Sequence, residues 1–507
     1  MRRAGPMMPS AVLMRVTPTH LARLAIYAIL AVVATRTLAD PDLWGHVLFG
    51  RDIVASWSIP RVDPYSFTSD RMWVNHEWLA EVVMFGAYRV GGGPGLIALK
   101  VAIVLMTLTL VSWVIKSAGP KAIVHDIVLL VAAVGTVPRT IPVRPQLFSV
   151  LLFAVLLAVL TAVDRGRRRS LVLVPVVFAA WVNLHGGWIV GLGVLGLWTV
   201  INLATPDTSW RTRAALISTL CLAVAATTVN PYGVGLWRFL WQTVGFSRPF
   251  VDDWRPLWQA PTLIMPWLVT LALGAFALYR SGFPGSLASV LIVTILGCAS
   301  ASVSRLDAFF SLSVTMLLAP QLARVWPKSD TNQGQVPVPT MAAAITAVGV
   351  ILVSVVMPGL WMTATNVKCL AIDGRFLPEP EAARFVRENG LRGRMFTWYD
   401  YGEYAVWYFA PAIQVSMDGR RETVYSEDVV AAHATAYFKG TGAAAYARAL
   451  GADYAWLEKG LPAVQDLERN GWVPIFPGTR SVVLSKLDER AHHLPAPISG
   501  PRCFPGP

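Results

Sequence analysis

The chain has 507 residues, of which 55% are hydrophobic and only 14% are charged. This composition is too apolar for a soluble protein of that length and predicts a polytopic membrane protein. The net charge of +13 could indicate a nucleic-acid partner, but the basic residues lie mainly in short loops between apolar runs. The positive-inside rule explains that pattern better, so we expect no nucleic acid and an environment of membrane lipids.

Runs of roughly 20 apolar residues predict about eleven spanning helices within a membrane domain at 21–362, after a cytoplasmic N-terminus at 1–20. The predicted spans are 21–39, 95–115, 122–138, 146–163, 171–183, 187–204, 214–229, 262–279, 285–303, 305–322 and 340–362. Every second loop is basic, which places these loops and the N-terminus on the cytoplasmic side of the plasma (inner) membrane. The odd number of spans then places the C-terminal region outside the cytoplasm.

The first outer loop, 39–94, begins with "ADPDLWGHVLFGRDI" and predicts two helices along the membrane surface. It collects seven side chains that could do chemistry: Asp40, Asp42, His46, Asp63, His76, Glu77 and Glu81. A carboxylate can deprotonate an attacking hydroxyl, and carboxylates with imidazoles can bind a divalent cation. We favour Asp42 as the reacting group, and Asp40 as its partner or, with His76 and Glu77, as a metal ligand. The alternative is that Asp40 starts a turn before Pro41 and Asp42 caps the next helix.

Arginines at the outer ends of later spans add a second kind of chemistry. Arg139 and Arg144 lie in "VPRTIPVRPQLFS", and Arg305 lies in "SVSRLD", on the side where the positive-inside rule disfavours them. Arginine binds phosphate through a forked pair of donors, so these residues predict a site for a lipid-linked phosphate. The alternative is that each arginine reaches out to the lipid headgroups.

Two histidines complete the predicted substrate site. His185 interrupts an apolar run in "NLHGGW", where a break between short helices often lines a cavity; the alternative is a packed core histidine. His46 follows Asp42 by one helical turn. Gly191, Gly193 and Gly196 spell a dinucleotide fingerprint, but they lie in a predicted span without the strand that such a site needs, so we expect no nucleotide cofactor.

The region 363–490 changes character and predicts a small α/β domain outside the membrane. Its helices are expected in "EPEAARFVRENG", "EDVVAAHATAYF" and "GAAAYARALG", and its strands in "RMFTWYDYGEYAVWYF", "IQVSMD", "DYAWL" and "RSVVLSK". The tail 491–507 is rich in proline and predicted to be disordered. Cys369 and Cys503 could form a disulfide in an oxidising compartment.

This pattern resembles the GT-C glycosyltransferases: an acidic pair after the first span, a long first outer loop, outer arginines and an outer C-terminal domain. The likeness covers about 21–362, and "DPDLWGH", "HEWL", "RPQLFS", "NLHGGW" and "NPYG" also resemble uncharacterised bacterial membrane proteins grouped with these enzymes. The resemblance implies a polyprenyl-phosphate-linked sugar donor and a lipid, glycan or protein acceptor. It also implies that Asp40 and Asp42 serve as catalytic base or as part of a divalent metal site.

Two other functions remain open on sequence grounds. A transporter would carry its charges near the middle of the membrane and often show repeat symmetry, whereas here the charges cluster at the outer face. A non-catalytic assembly protein would act through its C-terminal domain, and the acids of the first loop would then be dispensable.

Overall fold

The computed structural model describes residues 18–206, 208–243, 245–246, 248, 251–282, 286–325, 350, 352–372, 378–486, 492–497 and 502–506. Its first part is helical. The helices, in chain order, are α1 Pro18–Thr35, α2 Leu43–Ser56, α3 Trp78–Ala118, α4 Ala122–Thr140, α5 Gln146–Asp164, α6 Leu173–Trp181, α7 Trp188–Ala204, α8 Trp210–Ala226, α9 Gly235–Thr243, α10 Pro261–Ser281, α11 Leu287–Ser302, α12 Asp307–Leu317, α13 Ala319–Val325 and α14 Met357–Asn366.

Four of the described helices, α3, α4, α5 and α10, are long and apolar enough to cross a membrane, and a bent pair formed by Ser304–Leu317 and Ala319–Val325 would be a fifth. Helices α7 and α11 and the segment His20–Thr35 are apolar but shorter. The count of about eleven spans therefore stays a prediction. The predicted last span, 340–362, lies largely outside the described residues, and the first one ends earlier than predicted, because α1 stops at Thr35.

The first outer loop contains both predicted helices, and their position along the membrane surface stays a prediction. The first is α2, and the second forms the start of α3, where Gly92 interrupts the helix with φ 59° and ψ −143°. Only glycine adopts this conformation without steric cost, so the two parts of α3 meet at a break at Gly92. Between the helices the chain is extended and runs beside the C-terminal domain, where Phe67 and Val415 are joined by a backbone hydrogen bond of 3.1 Å.

The C-terminal part is an α/β domain, as predicted. Its elements are β2 Ala371–Ile372, α15 Pro380–Glu388, β3 Gly393–Phe396, α16 Tyr399–Phe409, β4 Ile413–Val415, α17 Glu427–Ala434, α18 Ala443–Ala449, β5 Tyr454–Glu458, α19 Pro462–Arg469, β6 Val473–Pro477 and β7 Ser481–Ser485. The five-stranded sheet has the order β4-β3-β5-β7-β6, in which β3 is parallel to both neighbours and β7 is antiparallel to both of its own.

Two predictions for this region are wrong. The run "RMFTWYDYGEYAVWYF" is a strand only at Gly393–Phe396 and then becomes helix α16, because its aromatic residues fill the core on several faces rather than alternating between two. The tail is ordered at residues 502–506. There Cys503 forms a disulfide with Cys369, which confirms that pairing, and Phe504 is buried.

The tail also joins the first outer loop to the rest of the outer part. A short strand β1, Leu38–Ala39, pairs in parallel with β2, and β2 in turn meets Cys503 in an antiparallel bridge. The indole of Trp44 on α2 donates a hydrogen bond of 2.9 Å to the carbonyl of Pro505. Trp44, Tyr65 and Trp73 of the loop belong to the same hydrophobic core as the sheet, whereas the membrane helices pack around a second core. The first loop is thus folded together with the C-terminal domain.

Candidate active site

A cavity of about 380 Å³ lies between the first outer loop, the outer ends of the membrane helices and the C-terminal domain. It brings together eight of the side chains singled out from the sequence, which are Asp42, His46, His76, Glu77, Glu81, Arg144, His185 and Arg305. Part of its remaining wall is apolar and includes Ile189, Val190, Phe239, Leu240 and Phe309. One compartment therefore combines acids, arginines, imidazoles and a hydrocarbon-like surface.

The two acids that open the first loop both face Arg144. Asp42 Oδ2 lies 3.0 Å from Arg144 Nη2, and Asp40 forms an ion pair with the Nε side of the same guanidinium. Asp42 precedes α2, but its side chain makes no capping hydrogen bond. In this structure the carboxylate is therefore directed to the arginine and the cavity rather than to the free amides of the helix.

Arg144 is itself surrounded by charges of both signs. Burial lowers the pKa of Arg144 to about 10, and the nearby Arg305 and Arg421 push it in the same direction, while Asp253 opposes the shift. The group remains protonated at neutral pH. Three guanidinium groups close enough to perturb one another favour a bound anion, because an anion relieves their mutual repulsion.

The other two predicted arginines differ in position. Arg305 lines the cavity, where its Nη2 lies 3.3 Å from His185 Nε2 and its guanidinium lies 5.8 Å from the ring centre of Trp254. Arg139 is not part of the cavity wall. It is buried behind it between Asp253 at 2.6 Å and Asp307 at 3.0 Å.

The acids and imidazoles of the loop form a linked group that reaches the arginines through His185. Glu77 Oε1 lies 3.6 Å from Nε2 of both His76 and His185, and His46 Nδ1 lies 3.4 Å from Glu81 Oε1. Burial alone would lower the pKa of His46, but the hydrogen bond to Glu81 and the charge of Glu77 raise it to about 9. Burial raises the pKa of Asp42, although Arg421 and His46 oppose the shift, so its carboxylate is a stronger base than an exposed aspartate.

The predicted metal ligands do not converge. Among the described residues no group of three His, Cys, Asp or Glu side chains is placed to hold a metal ion. Asp40 faces the guanidinium of Arg144, which already supplies the positive charge that a metal would bring, and His76 and Glu77 face each other. The residues as placed do not fit a metal centre.

The C-terminal domain supplies site residues that the sequence reasoning missed, among them Glu403, Arg420 and Arg421. They follow the carboxyl ends of β3 and β4, the edge at which parallel sheets commonly place their sites. The run "MDGRRE", which begins at the end of a predicted strand and holds four charged residues, was the available signal. Arg421 has φ 41°, a left-handed conformation that residues other than glycine rarely adopt, and such outliers cluster at functional sites.

Arg420 fixes the domain to the first loop. Its guanidinium donates to Asp63 at 2.8 and 2.9 Å and to Asp418 at 2.6 and 2.9 Å. It also lies over the ring of Trp73, 4.6 Å from the centroid. All three side chains are buried, so removing Arg420 would leave the two carboxylates without their counterion, at a cost of about 3–5 kcal/mol.

No family model and no curated protein matches the sequence. Among solved structures, the oligosaccharyltransferase AglB from Archaeoglobus fulgidus, in complex with an inhibitory peptide and a dolichol-phosphate, is similar with a TM-score of 0.57 and 12% identity, over 87% of this chain and 69% of that one. The same archaeal enzyme in complex with Zn and sulfate gives a TM-score of 0.51 at 12% identity, over 91% of this chain and 73% of that one.

ArnT from Cupriavidus metallidurans, in the apo state, is similar with a TM-score of 0.54 and 12% identity, over 92% of this chain and 97% of that one. Both enzymes are GT-C members, and the resemblance stated from the sequence is confirmed at the level of the fold. The chain therefore has the fold of the GT-C superfamily of integral membrane glycosyltransferases.

Proposed function

We propose that the protein is a membrane glycosyltransferase that moves a sugar from a polyprenyl-phosphate donor to an acceptor outside the cytoplasm, in the plasma membrane with its N-terminus inside. The observation that carries this proposal is the meeting of Asp42 with Arg144 and Arg305 in one partly apolar cavity. The dolichol-phosphate in the complex of AglB is consistent with a lipid-linked donor.

The proposed reaction is a single displacement. The guanidinium groups of Arg144 and Arg305 bind the donor phosphate, and the apolar wall receives the start of the polyprenyl chain. The acceptor hydroxyl attacks the anomeric carbon and its proton passes to Asp42, whose raised pKa suits a general base. The bond from the anomeric carbon to the phosphate oxygen breaks, and the arginines stabilise the charge that develops on the leaving phosphate.

The test compares Asp42→Asn and Asp42→Ala in the purified full chain in lipid nanodiscs. Transfer is measured with a panel of radiolabelled polyprenyl-phosphate hexoses and pentoses, with an envelope fraction as acceptor, and binding is measured with polyprenyl monophosphate. We expect both variants to lose transfer by about 100-fold or more, the usual scale for a missing general base. Binding of the monophosphate should persist, because the arginines remain.

Asp52→Asn is the matched control, because Asp52 lies on the same helix but outside the cavity wall. It should transfer at the wild-type rate. Transfer that survives in Asp42→Asn and fails only in Asp42→Ala, together with a lower unfolding temperature, would mean that Asp42 has a structural role.

A further inference from the structure

Glu403 is a buried carboxyl group of the cavity that the reaction described above does not use. It lies on α16 of the C-terminal domain, is only 2% exposed and forms part of the cavity wall. A glutamate is almost never fully buried unless it is paired or has a ligand to meet. Its place at the site therefore requires an explanation.

Two glycines make room for this side chain. A Cβ on Gly45 of α2 would collide with Glu403 Oε2. A Cβ on Gly419 would lie 2.5 Å from Asp42 Oδ1 and 2.7 Å from Glu403 Oε1. Both oxygens are thus within 2.7 Å of one point, and the carboxyl groups of Asp42 and Glu403 are neighbours. The side chain of Glu403 occupies a slot that leads from the domain directly to the proposed base.

One oxygen of Glu403 lacks a partner. Oε2 is buried and makes no hydrogen bond with any described residue. Leaving a buried polar atom unsatisfied costs about 1–3 kcal/mol, and native structures rarely tolerate it away from functional sites. Oε2 faces Gly45 of α2, whereas Oε1 lies on the side of Gly419 and Asp42, so an O–H group that enters the cavity would meet Oε1.

The charges around Glu403 determine what such a molecule can be. Burial raises the pKa of Glu403 well above its usual value, and the charge of Asp42 acts in the same direction, whereas His46 and Arg420 oppose the shift. The groups that face the two carboxyls from the packed elements are His46, Glu77, Arg144, Arg305, Asp400, Asp418, Arg420 and Arg421. Arg420 is already held by Asp63 and Asp418, so it does not neutralise Glu403 as a close partner. Two neighbouring carboxyls disfavour an anionic group and accept an uncharged hydroxyl.

We propose that Glu403 binds the acceptor and holds its uncharged hydroxyl group against Asp42. The inference rests on the proposed function and deepens it by assigning the acceptor side of the cavity to the C-terminal domain. In the step, the hydroxyl oxygen forms the new bond to the anomeric carbon, and the phosphate leaves with the electron pair of the broken bond. The hydroxyl proton goes to Asp42, and Glu403 ends the step in the protonation state in which it began.

The test uses Glu403→Ala, Glu403→Asp and Glu403→Gln in the full chain in nanodiscs. The probes are polyprenyl monophosphate for binding and, for transfer, the labelled donor that the wild-type chain uses with the envelope fraction. We expect Glu403→Ala and Glu403→Asp to lose about 100-fold in transfer, since small misplacements of a reactant cost that much. Glu403→Gln retains a donor and an acceptor of the same size, so it should keep more activity than either. Hydrolysis of the donor by water and binding of the monophosphate should be unchanged in all three.

Glu379→Gln is the matched control. Glu379 is a buried glutamate of the same domain, accepts a hydrogen bond of 3.0 Å from the Ser481 amide and lies outside the cavity wall. It should unfold at a lower temperature but transfer normally. Wild-type transfer in Glu403→Ala, or loss of monophosphate binding and of thermal stability in parallel with transfer, would overturn the inference. A wild-type chain that binds no monophosphate and transfers no sugar would instead overturn the proposed function itself.

Discussion

At the scale of single residues, Arg144 and Arg305 have different surroundings although both line the cavity. Arg144 is shared by Asp40 and Asp42, so its removal would also leave two partly buried acids without this ion pair. Arg305 contacts His185 and Trp254, and no ion pair joins it to a carboxylate in the described part of the chain. Arg305 is therefore the cleaner probe of phosphate binding.

We predict that Arg305→Ala weakens the binding of polyprenyl monophosphate by about 1.5–3 kcal/mol, the range for losing a hydrogen bond to a charged group. Arg144→Ala should weaken it at least as much and lower the thermal stability as well. Isothermal titration with the nanodisc-embedded chain measures both effects. Arg51→Ala, an exposed arginine paired with Asp52, is the control and should bind normally. Unchanged binding of the monophosphate in both cavity variants would mean that the two arginines contact lipid headgroups and do not bind the donor phosphate.

The pKa of His46 predicts a pH dependence of stability. The folded state raises this pKa to about 9, so folding is favoured while the ring is protonated. That contribution is complete below the unfolded pKa of about 6.5 and is lost as the pH rises through about 9. The thermal unfolding temperature of the wild-type chain should therefore fall as the pH rises over this interval. Glu81→Gln removes the charged hydrogen-bond partner of His46 and should make the unfolding temperature less dependent on pH. An equally strong pH dependence in this variant would contradict the assignment of the effect to His46.

The sequence predicted individual site residues well where they stand in short motifs. Asp42, His46 and Glu77 share one loop, and an acid or imidazole in an outer loop is a recognisable exception in an apolar chain. Glu403 could not be found in this way. It lies in a run of aromatic residues, and its role depends on contact with Gly45, which is more than 350 positions away in the sequence. No local pattern encodes that contact.

At the scale of elements, α2 and α16 approach each other closely at Gly45. An alanine there would be favourable for the helix by itself, by up to about 1 kcal/mol, because glycine is a poor helix former. We nevertheless predict that Gly45→Ala lowers transfer, since its Cβ must displace the carboxyl of Glu403. The measurement is the transfer rate together with monophosphate binding, which should persist.

Gly86→Ala is the matched substitution, because Gly86 is also helical and nothing lies within 4 Å of the position of its Cβ. It should be neutral for transfer. Equal rates for Gly45→Ala and wild type would show that the slot of Glu403 can rearrange without loss.

Local secondary-structure propensity explains which elements could be predicted from the sequence and which could not. The helices α15, α17 and α18 and the strands β4, β5 and β7 occur where the pattern placed them. The tail was misjudged because a proline-rich segment has little local preference for structure, whereas its order comes from the disulfide with Cys369 and from contacts with Trp44. Both are tertiary interactions between parts of the chain that are distant in the sequence.

At the scale of the whole molecule, the first outer loop and the C-terminal domain form one folded unit. They share a hydrophobic core, the buried ion pair of Arg420 with Asp63, and two backbone hydrogen bonds at Val415. They therefore lie on the same side of the membrane, as the odd number of predicted spans requires. The basic loops of the sequence predict that this side is the outer one.

The last prediction tests that orientation. The native free cysteines, Cys221 and Cys298, are first replaced by serine. A cysteine is then introduced at exposed Glu468 of the C-terminal domain or at exposed Arg213, in the first turn of α8. A membrane-impermeant maleimide should label Glu468→Cys in intact cells and label Arg213→Cys only after lysis, because the first site faces outward and the second faces the cytoplasm. A periplasmic-type reporter fused after Lys486 should likewise be active and a cytoplasmic-type reporter silent. The reverse labelling pattern at both sites would mean that the topology is the inverse of the predicted one. Labelling of both in intact cells would instead mean that one span between the two sites has been miscounted, because five spans are predicted between Arg213 and Glu468 and two sites on the same side of the membrane require an even number.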